Sequence, residues 1–154
     1  MEITVRLKED MQKSIKELDS TAYDAMLNLE NWSKNCELPA LQKELIKIRA
    51  SQINGCAYCL DMHTEIAVKL GETPRRLFAI SVWHESHLFT SEERVLLKLT
   101  EEITTISNKG LTDDTYLSSI NCFGEKLTAQ IIMIITTINA WNRILVSTKQ
   151  IYKK

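Results

Sequence analysis

Apolar side chains recur every three or four residues along most of this 154-residue chain, the spacing that places them on one face of an α-helix. Residues that form turns or cap helices separate the apolar stretches, and each stretch is about as long as one helix. Only residues 3–7 alternate as a β-strand does, and one short strand makes no sheet. The sequence therefore predicts an all-α fold. The predicted helices cover 8–18, 20–33, 39–53, 56–70, 73–85, 91–107, 112–122 and 125–148.

Individual residues mark where several of these helices begin and end. Thr90 and Glu93 have the spacing of a capping box, in which each side chain accepts a bond from the other residue's backbone N–H. Thr73 and Pro74 suit the N-cap and first positions of a helix. Gly71 suits a helix C-terminus, and Gly124 separates the last two predicted helices.

The composition is that of a soluble globular protein, with 44% hydrophobic and 25% charged residues. The length suits a single domain over residues 1–154. A net charge of −1 without a basic stripe gives no support for nucleic-acid binding. We see no secretory signal, and the apolar run 131–135 is far shorter than the roughly 20 residues of a membrane span. We therefore expect a cytoplasmic protein, in a compartment where thiols are kept reduced.

The last predicted helix carries large apolar residues around its whole axis rather than along one stripe. A helix of this kind must be buried on all sides, which indicates the central core helix or a subunit interface, and we expect a homo-oligomer. Asn139, Asn142 and Arg143 are expected to satisfy buried backbone groups or to cross an interface. Alternatively, Arg143 would help to hold an anionic substrate. The apolar residues are Ile131, Ile132, Met133, Ile134, Ile135 and Ile138.

Two cysteines and a histidine share one face of the predicted helix 56–70. Each residue advances about 100° around a helix, so Cys59 lies roughly 60° and His63 roughly 20° from Cys56. Cys59 and His63 are i,i+4 neighbours, which suits a thiol–imidazole hydrogen bond. The partial positive charge of the helix N-terminus favours the thiolate. The pattern predicts a nucleophilic sulfur beside a second sulfur that can close a disulfide.

Glu44 is a further candidate from the preceding helix. It lies 12 residues before Cys56, on a segment that must double back after Asn54-Gly55. An antiparallel helix pair would bring its carboxylate beside the Cys/His face. There it would orient His63 or exchange protons with it.

Glu44, Cys56, Cys59 and His63 form the pattern E-x11-C-x2-C-x3-H, which resembles the redox site of the AhpD-like alkyl hydroperoxidases within the carboxymuconolactone decarboxylase family. The resemblance covers roughly residues 20–148 and includes "RASQINGCAYCLDMHT", "GETPRRL", "VWHES", "FTSEERVLLKLTEEIT" and "INAWNRI". It implies an AhpD-like helical bundle, assembled as a trimer or hexamer.

The resemblance also implies peroxidase or peroxiredoxin-type activity without a cofactor. Cys56 and Cys59 would be the redox couple, and Glu44 and His63 the proton relay. We expect Cys59 to attack the hydroperoxide and Cys56 to resolve the sulfenic acid. A thioredoxin-like or lipoyl-type dithiol would then reduce the disulfide. Family members that act as lactone decarboxylases lack the cysteine pair, which disfavours decarboxylation.

Tyr58 is a departure from the family pattern. The best-known peroxidase members have a histidine at this position, just before the second cysteine. A tyrosine hydroxyl donates a hydrogen bond but is a poor base near neutral pH. We therefore expect Tyr58 to limit the peroxidase rate.

Two alternatives to peroxidase activity come from other classes of function. One is a non-enzymatic helical oligomer whose cysteine pair senses redox state or binds a partner. The other is a structural zinc site at Cys56, Cys59 and His63. Charged residues elsewhere are expected on solvated faces, and the isolated cysteines in the core or at the surface. The fourth zinc ligand would come from Cys36, Cys122, His84, His87 or Glu44.

Overall fold

The computed structural model describes residues 13–152 as helices joined by short turns. The all-α prediction is confirmed, because no strand occurs within this range. The predicted strand at 3–7 and the start of the helix predicted at 8–18 lie outside the described residues. The elements are α1 (Ile15–Leu18), α2 (Ser20–Lys34), α3 (Ala40–Asn54), α4 (Ala57–Lys69), α5 (Pro74–Ala79), a 3-10 segment (Ile80–Glu85), α6 (Ser91–Thr104), α7 (Ile106–Lys109) and α8 (Asp113–Ser147).

The residues predicted to cap or interrupt the helices have the expected geometry. Thr90 Oγ1 accepts from the backbone N–H of Glu93 at 3.2 Å, and the Glu93 carboxylate accepts from that of Thr90 at 2.8 Å. Thr73 caps α5 by accepting from the backbone N–H of Arg76. Gly55 ends α3 with φ 66°, a left-handed conformation in which glycine carries no Cβ penalty. Gly124 interrupts α8 with φ 77° and ψ 164°, so the predicted break is present.

Two helices end earlier than the sequence predicts. The helix predicted over 73–85 gives way to the 3-10 segment after Ala79, where the guanidinium of Arg94 binds the carbonyl oxygens of Trp83, His84 and Ser86. Within this segment Val82 has φ −125° and ψ 28°, outside the α-helical region. The helix predicted over 91–107 ends at Thr104, and Thr105 Oγ1 donates to the carbonyl of Glu101 at 2.8 Å. Such side-chain bonds compete with the regular helix ladder.

The central helix of the bundle is α3, which packs against α4, α6 and α8. Leu45, Ile46 and Ile48 are fully buried in it. Lys43 and Lys47 are buried as well, so the expectation that charges lie on solvated faces is wrong for this helix. A buried charge requires a partner or a function, because apolar surroundings disfavour it.

The last helix, α8, buries one face of its second half and exposes the other. Its buried isoleucines pack with Ile46, Leu96 and Leu99 in the main core. Met133 is 41% exposed, so the predicted burial on all sides is wrong within one chain. Assembly into an oligomer stays a prediction. The buried isoleucines are Ile131, Ile134, Ile135 and Ile138.

By length and composition alone, α8 would also qualify as a membrane-spanning helix. The break at Gly124 and the packing of its isoleucines against α3 and α6 fit a core helix of the bundle. Such core helices pass the same test, so this result is weak evidence for a membrane span.

A network of asparagines ties α8 to the end of α3. The Asn54 amide donates to Asn139 Oδ1 at 3.0 Å and to Asn142 Oδ1 at 2.9 Å. Asn142 in turn donates to Ser51 Oγ at 3.1 Å. Arg143 donates to the backbone and side-chain oxygens of Asn139. Asn139 also donates to the buried carbonyl of Ile135, as predicted, whereas the other bonds of the asparagines join side chains and hold the turn from which α4 begins.

Candidate active site

The cysteine pair lies at the N-terminus of α4. Cys56 is the N-cap residue, and its Sγ accepts from the backbone N–H of Cys59 at 3.3 Å. The two side chains form a disulfide, with a Cα–Cα distance of 5.4 Å. This distance is within the usual range for a disulfide. Both cysteines are almost completely buried.

Glu44 and His63 lie in direct contact across the α3–α4 pair. Glu44 Oε2 is 2.7 Å from His63 Nδ1, and both side chains are buried. The predicted meeting of these two residues is therefore present. An ionised carboxylate only accepts hydrogen bonds, so an ionised Glu44 requires the proton of this contact to be on Nδ1, and a neutral ring then has its lone pair on Nε2.

The other carboxylate oxygen of Glu44 faces a lysine. Glu44 Oε1 is 3.6 Å from Lys47 Nζ, which also lies 3.0 Å from Glu30 Oε1. The ammonium of Lys47 therefore offsets the charge of two glutamates, one on α2 and one on α3. This pairing allows a carboxylate to remain charged in a buried position.

A cavity of about 520 Å³ opens beside the cysteine pair. Glu44, Cys59 and His63 line its wall, and Cys56 is not part of it. Helices α2 and α8 supply the opposite wall, with Tyr23 and Trp141 in edge-to-face contact at 5.9 Å. A small molecule in the cavity would thus meet Cys59 rather than Cys56.

Tyr58 also lines this cavity. Its ring packs edge-to-face against Tyr152, with the ring centroids 5.3 Å apart. The Tyr152 hydroxyl donates to Glu65 at 3.2 Å, which holds the C-terminal segment against α4. Tyr58 is therefore part of the cavity wall and also packs against the C-terminal segment.

The remaining cysteines and histidines lie apart from this constellation. Cys36 and Cys122 are free thiols, and burial raises the pKa of both. His84 and His87 are exposed, and His84 stacks on Trp83 with ring centroids 3.8 Å apart. Within residues 13–152 no group of three or more His, Cys, Asp or Glu side chains is placed to hold a metal ion. The described residues thus give no support to the zinc alternative.

Several cavity residues escaped the sequence analysis. Lys47 has a local signal, since it follows Glu44 at the i+3 spacing of a helical ion pair. Lys43 and Glu30 carry no such signal, because charges on a helix are usually exposed. Trp141 packs on Tyr23 and also lines the cavity.

Comparison with known proteins places the chain in a family. The model of the carboxymuconolactone decarboxylase family matches residues 20–102. The uncharacterised protein YdfG of Bacillus subtilis is 40% identical over 119 residues, which cover 77% of this chain and 81% of YdfG.

Solved structures are similar over most of the chain. A protein of unknown function from Agrobacterium tumefaciens, described as a candidate AhpD antioxidant defence protein, superposes with a TM-score of 0.90 at 33% identity. The match covers 94% of this chain and 99% of that one. The debrominase Bmp8 has a TM-score of 0.75 at 20% identity, over 84% of this chain and 69% of its own. At that identity the likeness is one of fold alone.

Proposed function

The chain belongs to the carboxymuconolactone decarboxylase family, among its AhpD-like members, and from that premise we propose a thiol-dependent peroxidase that reduces hydroperoxides at the Cys56–Cys59 pair. The observation that carries the proposal is the cavity whose wall includes both Cys59 and the hydrogen-bonded pair of Glu44 and His63. A nucleophile, a base and a group that orients the base are thus gathered at a single cavity wall.

The first step begins from the dithiol form. His63 Nε2 takes the proton of Cys59, and the thiolate attacks the terminal oxygen of the hydroperoxide. The O–O bond breaks, the sulfur loses two electrons, and the departing alkoxide takes up a proton to leave as an alcohol. Cys59 becomes a sulfenic acid. Glu44 keeps the proton on Nδ1 of His63, so that Nε2 is the nitrogen that accepts.

The second step closes the disulfide. The Cys56 sulfur attacks the Cys59 sulfenic sulfur, an S–S bond forms, the S–O bond breaks, and water leaves. Cys56 caps the same helix turn that holds Cys59, so little movement is required.

The third step needs an external dithiol, for which we propose a thioredoxin-like or lipoyl-type donor. It supplies two electrons by thiol–disulfide exchange and leaves as its own disulfide. Cys56 and Cys59 are only 2% and 1% exposed, so the donor must reach them through the cavity. This favours a slender dithiol arm over the flat face of a protein.

We also propose that the protein acts as a cytoplasmic homo-oligomer. Phe78 is 81% exposed and Val82 57% exposed on one side of the molecule, and Met133 is exposed on α8. Apolar residues at such exposure are available for contact between subunits. Light scattering of the purified protein measures the mass, and a monomer at micromolar concentration contradicts this part of the proposal.

The experiment that tests the peroxidase proposal is turnover of cumene hydroperoxide with a dithiol donor in excess. We expect Cys59→Ser and Cys56→Ser to lose multiple turnover, and Cys122→Ser to retain it. A sulfenic acid trapped by dimedone is expected in Cys56→Ser and not in Cys59→Ser. Unchanged peroxide consumption in Cys59→Ser would refute the proposal. A wild-type protein that oxidises once and is not recycled supports the redox-sensor alternative instead.

A further inference from the structure

Lys43 is a buried cation in the wall of the active-site cavity that forms no direct ion pair in the described part of the chain, although Glu30 and Glu44 lie near enough to stabilise its charge. Its Nζ donates to the carbonyl oxygens of Lys34 and Cys36, both at 2.8 Å. An ammonium has three N–H donors, so one remains without an acceptor among residues 13–152. Lys47, one turn further on, differs because two glutamates offset its charge.

The surroundings of Lys43 make an incoming anion favourable. Burial lowers the pKa of Lys43, since the low-dielectric surroundings penalise the charged ammonium. Two neutral carbonyls accept its hydrogen bonds, while Glu30 and Glu44 act on its charge without a direct contact and are themselves paired with Lys47. A ligand carboxylate at the free N–H would add a direct negative partner and form a charge-assisted hydrogen bond.

The remainder of the cavity is mostly apolar. Its wall includes Leu27, Met62, Ile66 and Leu145, together with the aromatic ring of Trp141. The volume of about 520 Å³ suits a small organic molecule rather than hydrogen peroxide alone. The cavity wall carries three lysines against two glutamates, and both glutamates are already paired with Lys47.

We propose that the preferred substrate is an organic hydroperoxide with an apolar body and a carboxylate, the carboxylate binding Lys43 while the peroxide group meets Cys59. This inference rests on the proposed peroxidase function and names its substrate class. One free N–H on Lys43 matches one carboxylate oxygen. Apolar surface on the substrate would be removed from water by the leucine, isoleucine and tryptophan side chains.

Matched substrates provide the first test. The kcat/KM of a fatty-acid hydroperoxide is compared with that of its methyl ester, both below their micelle concentrations. We expect the wild type to prefer the acid by roughly tenfold, the value of a charge-assisted hydrogen bond at the low end of its range. A ratio near one in the wild type overturns the proposal.

Substitutions assign the preference to Lys43. Lys43→Gln is expected to bring the acid-to-ester ratio close to one, and Lys43→Arg to retain much of it. Lys126→Gln, which removes the same charge from an exposed ion pair with Glu37, is expected to leave the ratio as in the wild type. A ratio in Lys43→Gln equal to that of the wild type overturns the role of Lys43.

A binding measurement separates this inference from the peroxidase proposal. Calorimetry on the oxidised protein compares decanoate with decanol, neither of which reacts. We expect decanoate to bind roughly tenfold more tightly than decanol, and Lys43→Gln to abolish the difference while still binding decanol. If no hydroperoxide is turned over but this difference is found, the peroxidase proposal fails and the anion site stands. Equal binding of the two ligands by the wild type overturns the anion site.

Discussion

His63 Nδ1 lies 2.7 Å from Glu44 Oε2, and this contact fixes the imidazole ring between α3 and α4. The residues are 19 positions apart in sequence and meet because the chain reverses at Gly55. Lys47 engages the second oxygen of the same carboxylate. The orientation of His63 therefore depends on residues of α3, the most enclosed helix of the bundle.

Replacement of Glu44 by glutamine should show whether activity depends on the charge of Glu44 or only on a hydrogen bond that orients His63. In Glu44→Gln the amide retains a hydrogen-bonding group but loses the charge that stabilises a protonated His63 and fixes its tautomer. We expect kcat/KM for cumene hydroperoxide to fall by roughly 10²-fold, the lower end of the range for general acid–base catalysis. Glu37→Gln, in an exposed ion pair, is the control and should retain full activity. A kcat/KM of Glu44→Gln close to that of the control would argue against a proton relay.

Tyr58 provides a test in which activity should increase. We expect Tyr58→His to accelerate oxidation of the reduced protein several-fold, because imidazole is a base near neutral pH and the phenol is not. Tyr58→Phe keeps the ring that packs on Tyr152 and should not gain rate. Stopped-flow measurement of the first turnover gives the rate directly. Equal rates in the histidine and phenylalanine variants would show that a base at this position is not limiting.

The two free thiols should react slowly with alkylating agents at neutral pH. Burial raises the pKa of Cys36 and Cys122, so their reactive thiolate fraction is small at pH 7. We expect their iodoacetamide labelling rates, followed site by site by mass spectrometry, to keep rising through about pH 9, where an ordinary thiol begins to level off. The urea-unfolded chain should level off earlier and serves as the control. A plateau below pH 8 in the folded protein would contradict the raised pKa.

Asn142 should contribute to stability through the network that joins α8 to α3. Asn142→Ala removes a fully buried amide and leaves Asn54 and Ser51 each without one partner. We expect the free energy of unfolding to fall by about 1–3 kcal/mol in urea titration. Asn35→Ala, at an exposed asparagine, should cost much less. A loss in Asn142→Ala no larger than in this control would mean that the network contributes little.

The helices were predictable from the sequence wherever the decisive interaction is local. The capping box of Thr90 and Glu93, the turn at Gly55 and the break at Gly124 each depend on a few adjacent residues. The 3-10 segment that follows Ala79 has no such local signal, and the bonds to its Trp83 and His84 carbonyls come from Arg94, on another helix. Local periodicity contains no information about such a contact.

In the candidate site, too, some features were predictable from the sequence and others were not. The shared face of Cys56, Cys59 and His63 follows from the helical repeat, and Glu44 was expected from the reversal at Asn54-Gly55. The opposite wall of the cavity depends on how α2 and α8 pack against this pair. No pattern along the chain indicates that Lys43 would lie there rather than in solvent.

The proposed redox residues and the other residues that line the cavity come from different stretches of the chain. Glu44, Cys56, Cys59 and His63 lie within 20 consecutive residues, whereas Tyr23 and Trp141 come from α2 and α8. Substitutions in the distant stretches can therefore reshape what enters the cavity without disturbing the sulfur chemistry. In this chain the residues that would select a ligand and those proposed for the sulfur chemistry can therefore change independently of each other.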